Sequence, residues 1–173
     1  MNVARSAALV ALLVGLLAGL AGCVPWPHHY LTAPQIVGTV SHAGKPVAGA
    51  RVRLADLMTQ TGAAANDANK QEVVTDAQGH FTLGPLRRFS WRSHVPLVSV
   101  YEHTAPWGLQ LSGADASWQP GWLSDPTLFG EVPKAPLTAS CDPAAPSRSS
   151  VIKGDKSLVG NGPCQLAISE SDK

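Results

Sequence analysis

The stretch Gly49–Ala55 limits the fold more than any other part of this chain. Ala50, Val52 and Leu54 alternate with Arg51 and Arg53. Successive side chains of an extended strand point to opposite faces, so the apolar groups line one side and the guanidiniums the other. Period two with charge on one face predicts a half-buried strand. The chain also carries 14 prolines and 16 glycines, with little charge. Short elements joined by many turns follow from that, not long helices. The expectation is an all-β body.

Neighbouring stretches extend the pattern. Gln35–Ser41 is a β-rich run, and His42-Ala43-Gly44-Lys45-Pro46 has turn chemistry. Asp56–Lys70 reads as a polar loop with room for a short helical turn. Gln71–Thr75 is strand-like, and Asp76-Ala77-Gln78-Gly79 is a tight turn whose glycine can take positive φ. Phe81 and Leu83 share a face in the strand His80–Leu83. The spacing predicts a hairpin from Glu72–Thr75 and His80–Leu83. Leu97–Tyr101, Trp107–Leu111 and Gln165–Ile168 are further strands. Gly113–Pro136 reads as an irregular insertion over one end of the body, Cys141–Ser150 as loop, and Gly160–Pro163 as a sharp turn.

The amino-terminal stretch has a separate logic. Met1–Ser6 carries one charge, Arg5, and Ala7–Leu20 is almost wholly Ala, Leu, Val and Gly. That is the basic start and apolar core of an export signal. It is short for a spanning helix, which needs roughly 20 residues. It ends in Leu20-Ala21-Gly22-Cys23, which resembles the bacterial lipoprotein signal. The resemblance implies cleavage between Gly22 and Cys23, a diacylglyceryl group on the Cys23 thiol, and acylation of the new amino end, palmitate being a typical chain. Residue 24 is Val rather than Asp, which in those families points to the outer membrane, facing the periplasm. A retained signal anchor and plain secretion are the competing readings. Residues 1–22 are thus expected as signal and 23–34 as a lipidated tether, because three prolines in Val24–Pro34 favour an extended stalk. Trp26 and Tyr30 suit the headgroup interface, or else the edge of the body.

Gly44-Lys45-Pro46-Val47-Ala48-Gly49-Ala50-Arg51-Val52 and Thr75-Asp76-Ala77-Gln78-Gly79-His80-Phe81 together resemble the carboxypeptidase regulatory-like domain. The resemblance implies an Ig-like or transthyretin-like β-sandwich of about seven short strands over residues 35–112. Residues 113–173 would then be an irregular extension carrying a final strand. It also implies that the motif residues set turns and core, and that no catalytic chemistry of their own is expected.

Removing residues 1–22 from 173 leaves 151, enough for one domain with a core, and the mature chain is charge-balanced with 12 basic and 12 acidic residues. That balance argues against nucleic acid as a partner. Cys141 and Cys164 remain once Cys23 is lipidated. An exported pair in an oxidising compartment should form a disulfide. Zinc is the alternative, but it needs about four ligands and no His lies near either cysteine in sequence. His28, His29, His42, His80, His94 and His103 show no metal-ligand spacing, and no nucleophile elbow or phosphate loop is present. The transthyretin-like hydroxyisourate hydrolases end in Tyr-Arg-Gly-Ser, whereas this chain ends Glu170-Ser171-Asp172-Lys173. No cofactor is expected. Trp118 and Trp122 flank a turn and fit either a sugar-stacking platform or a satellite core. Arg87, Arg88, Trp91, Arg92 and His94 form a basic, aromatic stretch suited to an anion or a partner, or simply to solvent. The functional expectation is a non-enzymatic binding or structural module of the envelope. Its partners would be the membrane, through Cys23, and an envelope protein or glycan; the alternatives are a carbohydrate- or peptidoglycan-binding lipoprotein using Trp118 and Trp122, and an accessory subunit of an envelope assembly.

Overall fold

The computed structural model describes residues 27–90, 106–112, 117–125 and 132–169. The described residues form strands and no helix. In the first half these are β1 (His28–Ala33), β2 (Ile36–His42), β3 (Lys45–Pro46), β4 (Arg51–Ala55), β5 (Lys70–Val74), β6 (His80–Leu83) and β7 (Leu86–Ser90). The second half supplies β8 (Gly108–Ser112), β9 (Trp118–Ser124), β10 (Leu137–Cys141), β11 (Arg148–Ile152), β12 (Asp155–Gly162) and β13 (Cys164–Ile168). Seven of these, β2 to β8, fall within residues 35–112, as expected there, and the described residues hold thirteen in all. The expected strand Leu97–Tyr101 lies outside the described residues.

Two sheets face each other in a β-sandwich. One has six strands in the order β11-β12-β9-β8-β4-β5, and the other five, in the order β13-β10-β2-β3 with β6 also on β2. A two-stranded ribbon, β1-β7, completes the fold. The alternation seen in the sequence builds the interior. Val52 and Leu54 of β4 are fully buried and meet Leu109, Leu111 and Trp122 from their own sheet and Ile36, Val40, Phe81, Leu83 and Leu137 from the other. Each such side chain contributes roughly 1.5–3 kcal/mol on burial. On β2, Gly38 occupies an inward position. A Cβ there would lie 2.6 Å from the Ala139 carbonyl oxygen and 2.7 Å from the Phe81 ring. The missing side chain is what lets Phe81 lie across the β2–β10 pair.

The two halves do not separate at residue 112. β10 lies parallel to β2 and pairs it from Leu137↔Ile36 to Cys141↔Val40, while β9 pairs β8 and β12 pairs β9. The stretch expected as an irregular extension therefore supplies strands to both sheets. The expected tether also differs. His28–Ala33 is not a free stalk but a strand paired with β7 from His28↔Ser90 to Ala33↔Leu86.

The expected hairpin around Asp76 is instead an arch between sheets. β5 pairs β4, whereas β6 pairs β2. The turn itself is as tight as expected: the Asp76 carboxylate accepts hydrogen bonds from the Gln78 and His80 amides at 2.9 and 2.8 Å. Thr75 links the two sequence motifs just before it. Its hydroxyl donates to the Val47 carbonyl at 2.7 Å and accepts from the Ala50 amide at 2.9 Å. Gly49 and Gly79 both hold φ near +76°, where a side chain is strained.

The cysteine pair is joined. Cys141 and Cys164 face each other across β10 and β13 and form a disulfide. Gly38→Ala is expected to lower the unfolding free energy by about 1–3 kcal/mol, because the close neighbour is backbone. Replacing Cys141 and Cys164 together by Ser should cost about 2–4 kcal/mol. Urea unfolding checks both, through the midpoint at constant slope.

Candidate functional site

Strand ends gather two different environments at opposite ends of the sandwich. At one end lie His42, which closes β2, Arg51, which opens β4, Ser112, which closes β8, and Gln119 near the start of β9. With Val47–Ala50, Pro143 and Ala144 they line an open groove of about 680 Å³ at the mouth between the sheets. Val47, Ala48 and Ala50 give the lining its apolar part, and His42, Arg51, Ser112 and Gln119 its polar part. His42 Nδ1 is 3.7 Å from the Asp142 carboxylate. Among the described residues this groove is a candidate for admitting a ligand, with apolar and polar side chains both in its lining.

Beside the groove the outer face of the six-stranded sheet carries a charged stack. The Arg53 guanidinium lies 3.9 Å and that of Arg51 5.0 Å from the Trp118 ring centroid. Both arginines also bind Glu72, at 2.6 and 2.9 Å. Hydrogen bonding from Arg53, then Arg51, holds the Glu72 carboxyl below its ordinary range. Trp118 is therefore covered by cations.

Trp122 does not join it in a platform. Its indole is fully buried in the core. Residues four apart on a regular strand share a face, but the β8–β9 register shifts between Leu109 and Gln110. Trp122 opposes Leu109 and Pro120 opposes Gln110, which leaves Gly121 as the extra residue of a bulge. The extra residue turns Trp122 inward. There Gly160 makes room for it, since a Cβ would lie 2.5 Å from the ring. Its N–H meets no acceptor among the described residues.

At the opposite end, Asp56 follows β4 directly and is fully buried at its side chain. Its carboxylate accepts four hydrogen bonds: Thr32 Oγ1 at 2.9 Å, the Asn69 amide at 2.8 Å, and Arg88 Nε and Nη2 at 2.8 and 2.9 Å. Thr32 belongs to β1 and Arg88 to β7, so the node clamps the ribbon to the six-stranded sheet. Burial pushes the Asp56 carboxyl up, but the hydrogen bonds from Arg88, Thr32 and Asn69, with the Arg88 charge, bring it below the ordinary value. The same contact raises Arg88. The sequence reading placed Arg88 in a basic stretch and missed Asp56. A lone acidic residue directly after an apolar strand was the available signal.

Gly22 and Cys23, the expected cleavage and lipidation positions, lie outside the described residues, as do Trp91, Arg92, His94 and His103. His42 and His80 stand at strand ends on the groove side, and His28 and His29 on the ribbon. Among the described residues no group of three or more His, Cys, Asp or Glu side chains converges to hold a metal ion.

No protein-family model matches the chain, and no curated protein matches it. Among solved structures, the crystal structure of catechol 1,2-dioxygenase from Pseudomonas arvilla C-1 is similar, with a TM-score of 0.32 and 16% identity. The match covers 93% of this chain and spans 66% of that one. The similar structure being an enzyme, the expectation of a non-enzymatic binding or structural module is corrected and not retained; the glycan-binding alternative loses its platform because Trp122 is buried and Arg51 and Arg53 cover Trp118. At that TM-score the likeness transfers no activity, substrate or cofactor.

Removing Arg88 leaves the buried carboxylate unpaired, so Arg88→Met is expected to cost about 3–5 kcal/mol. The depressed Asp56 value sets the pH dependence. Its contribution is complete above the unfolded carboxyl value of about 3.9 and is lost as pH falls through the lower folded value. Wild-type stability should fall below about pH 4, and less steeply in Asp56→Asn, as measured by urea unfolding across pH.

Proposed function

We propose that this chain is an exported lipoprotein of the cell envelope, held by acyl chains on Cys23 in the outer membrane and facing the periplasm. The observation that carries the reading is the apolar run Ala7–Leu20 leading into Leu20-Ala21-Gly22-Cys23. Two or more acyl chains on one cysteine and its amino end give a firm anchor, at about 0.8 kcal/mol per buried CH₂. Two features of the folded body support it. The other two of the three cysteines are joined to each other, which suits an oxidising compartment and leaves Cys23 as the odd thiol. The body also begins close behind the anchor, with β1 starting five residues after Cys23.

The geometry then gives the molecule a direction. β1 enters the sandwich at the end where Asp56 lies, and the groove opens at the other. Anchoring at Cys23 turns the groove away from the bilayer and into the periplasmic space. Presenting that groove at a fixed distance from the membrane is the role the arrangement supports. The link between Thr75, Val47 and Ala50 supports the carboxypeptidase regulatory-like resemblance of the first half, since it makes both motifs parts of one turn assembly.

Cells expressing the chain and fed labelled palmitate should yield a labelled protein lacking residues 1–22. Cys23→Ala should be unlabelled and uncut. A wild-type protein without label overturns the anchor, and label found only at inner-membrane density overturns the outer-membrane placement.

A further inference from the structure

We propose that the outward face of the β1–β7 ribbon, formed by His29, Leu31, Arg87 and Phe89, docks on the headgroup layer of the bilayer that holds Cys23. This rests on the lipid anchor proposed above. Directly opposed residues of an antiparallel pair share a face. The register sets His29 against Phe89 and Leu31 against Arg87. The His29 and Phe89 rings are 5.1 Å apart at their centroids. Phe89 is 48% exposed, an unusual position for a ring of that size. His29 and Arg87 are exposed as well, and Leu31 is half-buried.

The ribbon's other face is already used. Thr32 and Arg88 turn inward to the Asp56 carboxylate. The clamp orients the ribbon with respect to the sandwich, so its outward face is presented in one direction.

Chain length chooses the occupant. Five residues lead from Cys23 to His28, and an extended chain spans at most about 3.6 Å per residue, so the acyl chains hold the ribbon within about 18 Å. Chemistry agrees with that proximity. Phe89 and Leu31 gain by leaving water for the boundary between headgroups and acyl chains, as the apolar faces of interfacial elements do. Arginine is attracted to anionic lipid headgroups. The strands His28–Ala33 and Leu86–Ser90 contain two arginines and no acidic residue, so nothing on them repels a negative surface. A small apolar and basic face held against a bilayer by a short leash meets that bilayer at high local concentration.

The test uses the full mature protein, acylated in the cell and reconstituted into phosphatidylethanolamine–phosphatidylglycerol vesicles whose acyl chains are brominated near the headgroups. Phe89→Trp and Val74→Trp are each compared with wild type, so that the native tryptophans subtract. Val74 is 58% exposed and lies on β5 opposite Arg51, at the groove end. The added Phe89→Trp emission should shift to the blue and lose about half or more of its intensity, because bromine quenches on contact and the interface is where such rings settle. The Val74→Trp emission should be unchanged. Leu31→Trp, on the same face, gives the same reading should Phe89→Trp fail to fold. If Cys23 is acylated by mass spectrometry, the vesicles float with the protein, and the ribbon tryptophan is quenched no more than that at Val74, docking is overturned while the anchor stands. If Cys23 carries no lipid, both fall together.

Discussion

The Asp56 carboxylate is the point on which the arrangement of this molecule turns. A buried, ionised carboxylate is tolerated only when its charge is matched and its lone pairs are filled. Here Arg88 supplies the charge, and Thr32 and Asn69 fill the remaining positions. These partners come from three separate segments. The node thus decides where the ribbon lies, which neither strand pairing nor apolar burial could do alone. A two-stranded ribbon is marginal in water by itself. It persists because one of its faces is committed to an ion pair that would be costly to open.

Proline and glycine explain why a ribbon exists at all. β1 runs into β2 through Pro34 and Gln35, and β6 into β7 through Gly84 and Pro85. The β1–β7 pair continues the β2–β6 pair, since Ala33 opposes Leu86 and Ile36 opposes Leu83. Neither proline can donate to the ladder, so the pairing is interrupted at this point on both strands. Gly84 holds φ at +75°, and a Cβ there would strike the Pro34 carbonyl. The Gln71 side chain accepts its amide hydrogen at 2.6 Å. Past these residues the two strands pair only with each other, where Asp56 reaches Thr32 and Arg88.

Local pattern made much of this legible, and non-local pairing hid the rest. β4 could be read because its side chains alternate, and β2, β8 and β13 because β-favouring residues lie in short runs there. The cysteine pair could be read because only two thiols were left to each other. The arch at Asp76 could not. Its turn chemistry is that of a tight reversal, and the turn is indeed tight, but turn residues do not say which sheet the exiting strand joins. That was settled by β2, which accepts β6 on one side and β10 on the other. The Trp118–Trp122 pair failed for a similar reason. A spacing of four implies a shared face only while the register holds, and one bulge residue, Gly121, inverts it. The proline content of Val24–Pro34 suggested a free stalk, yet β1 contains none of those prolines. They stand before and after it, where they limit the strand without weakening it. The groove was invisible for the plainest reason: its walls come from the ends of strands far apart in the chain.

The two ends of the sandwich are closed by different means, and the difference bears on what each can do. At the ribbon end, hydrogen bonds and an ion pair hold β1 and β7, and such contacts respond to pH and to the loss of a single partner. At the groove end, the disulfide joins β10 to β13 opposite Val40, and the Thr75 hydroxyl bridges the Val47 and Ala50 backbone. Those are covalent or short neutral contacts, largely indifferent to mild acidity. β2 spans the whole distance, with Ile36 at the ribbon and His42 on the groove rim, about 20 Å apart at 3.3 Å per residue. A single strand therefore joins the ribbon end to the groove. Because it is paired with β6 on one side and β10 on the other, it has little freedom to bend. The shape of the groove is set by the cross-links that lie beside it.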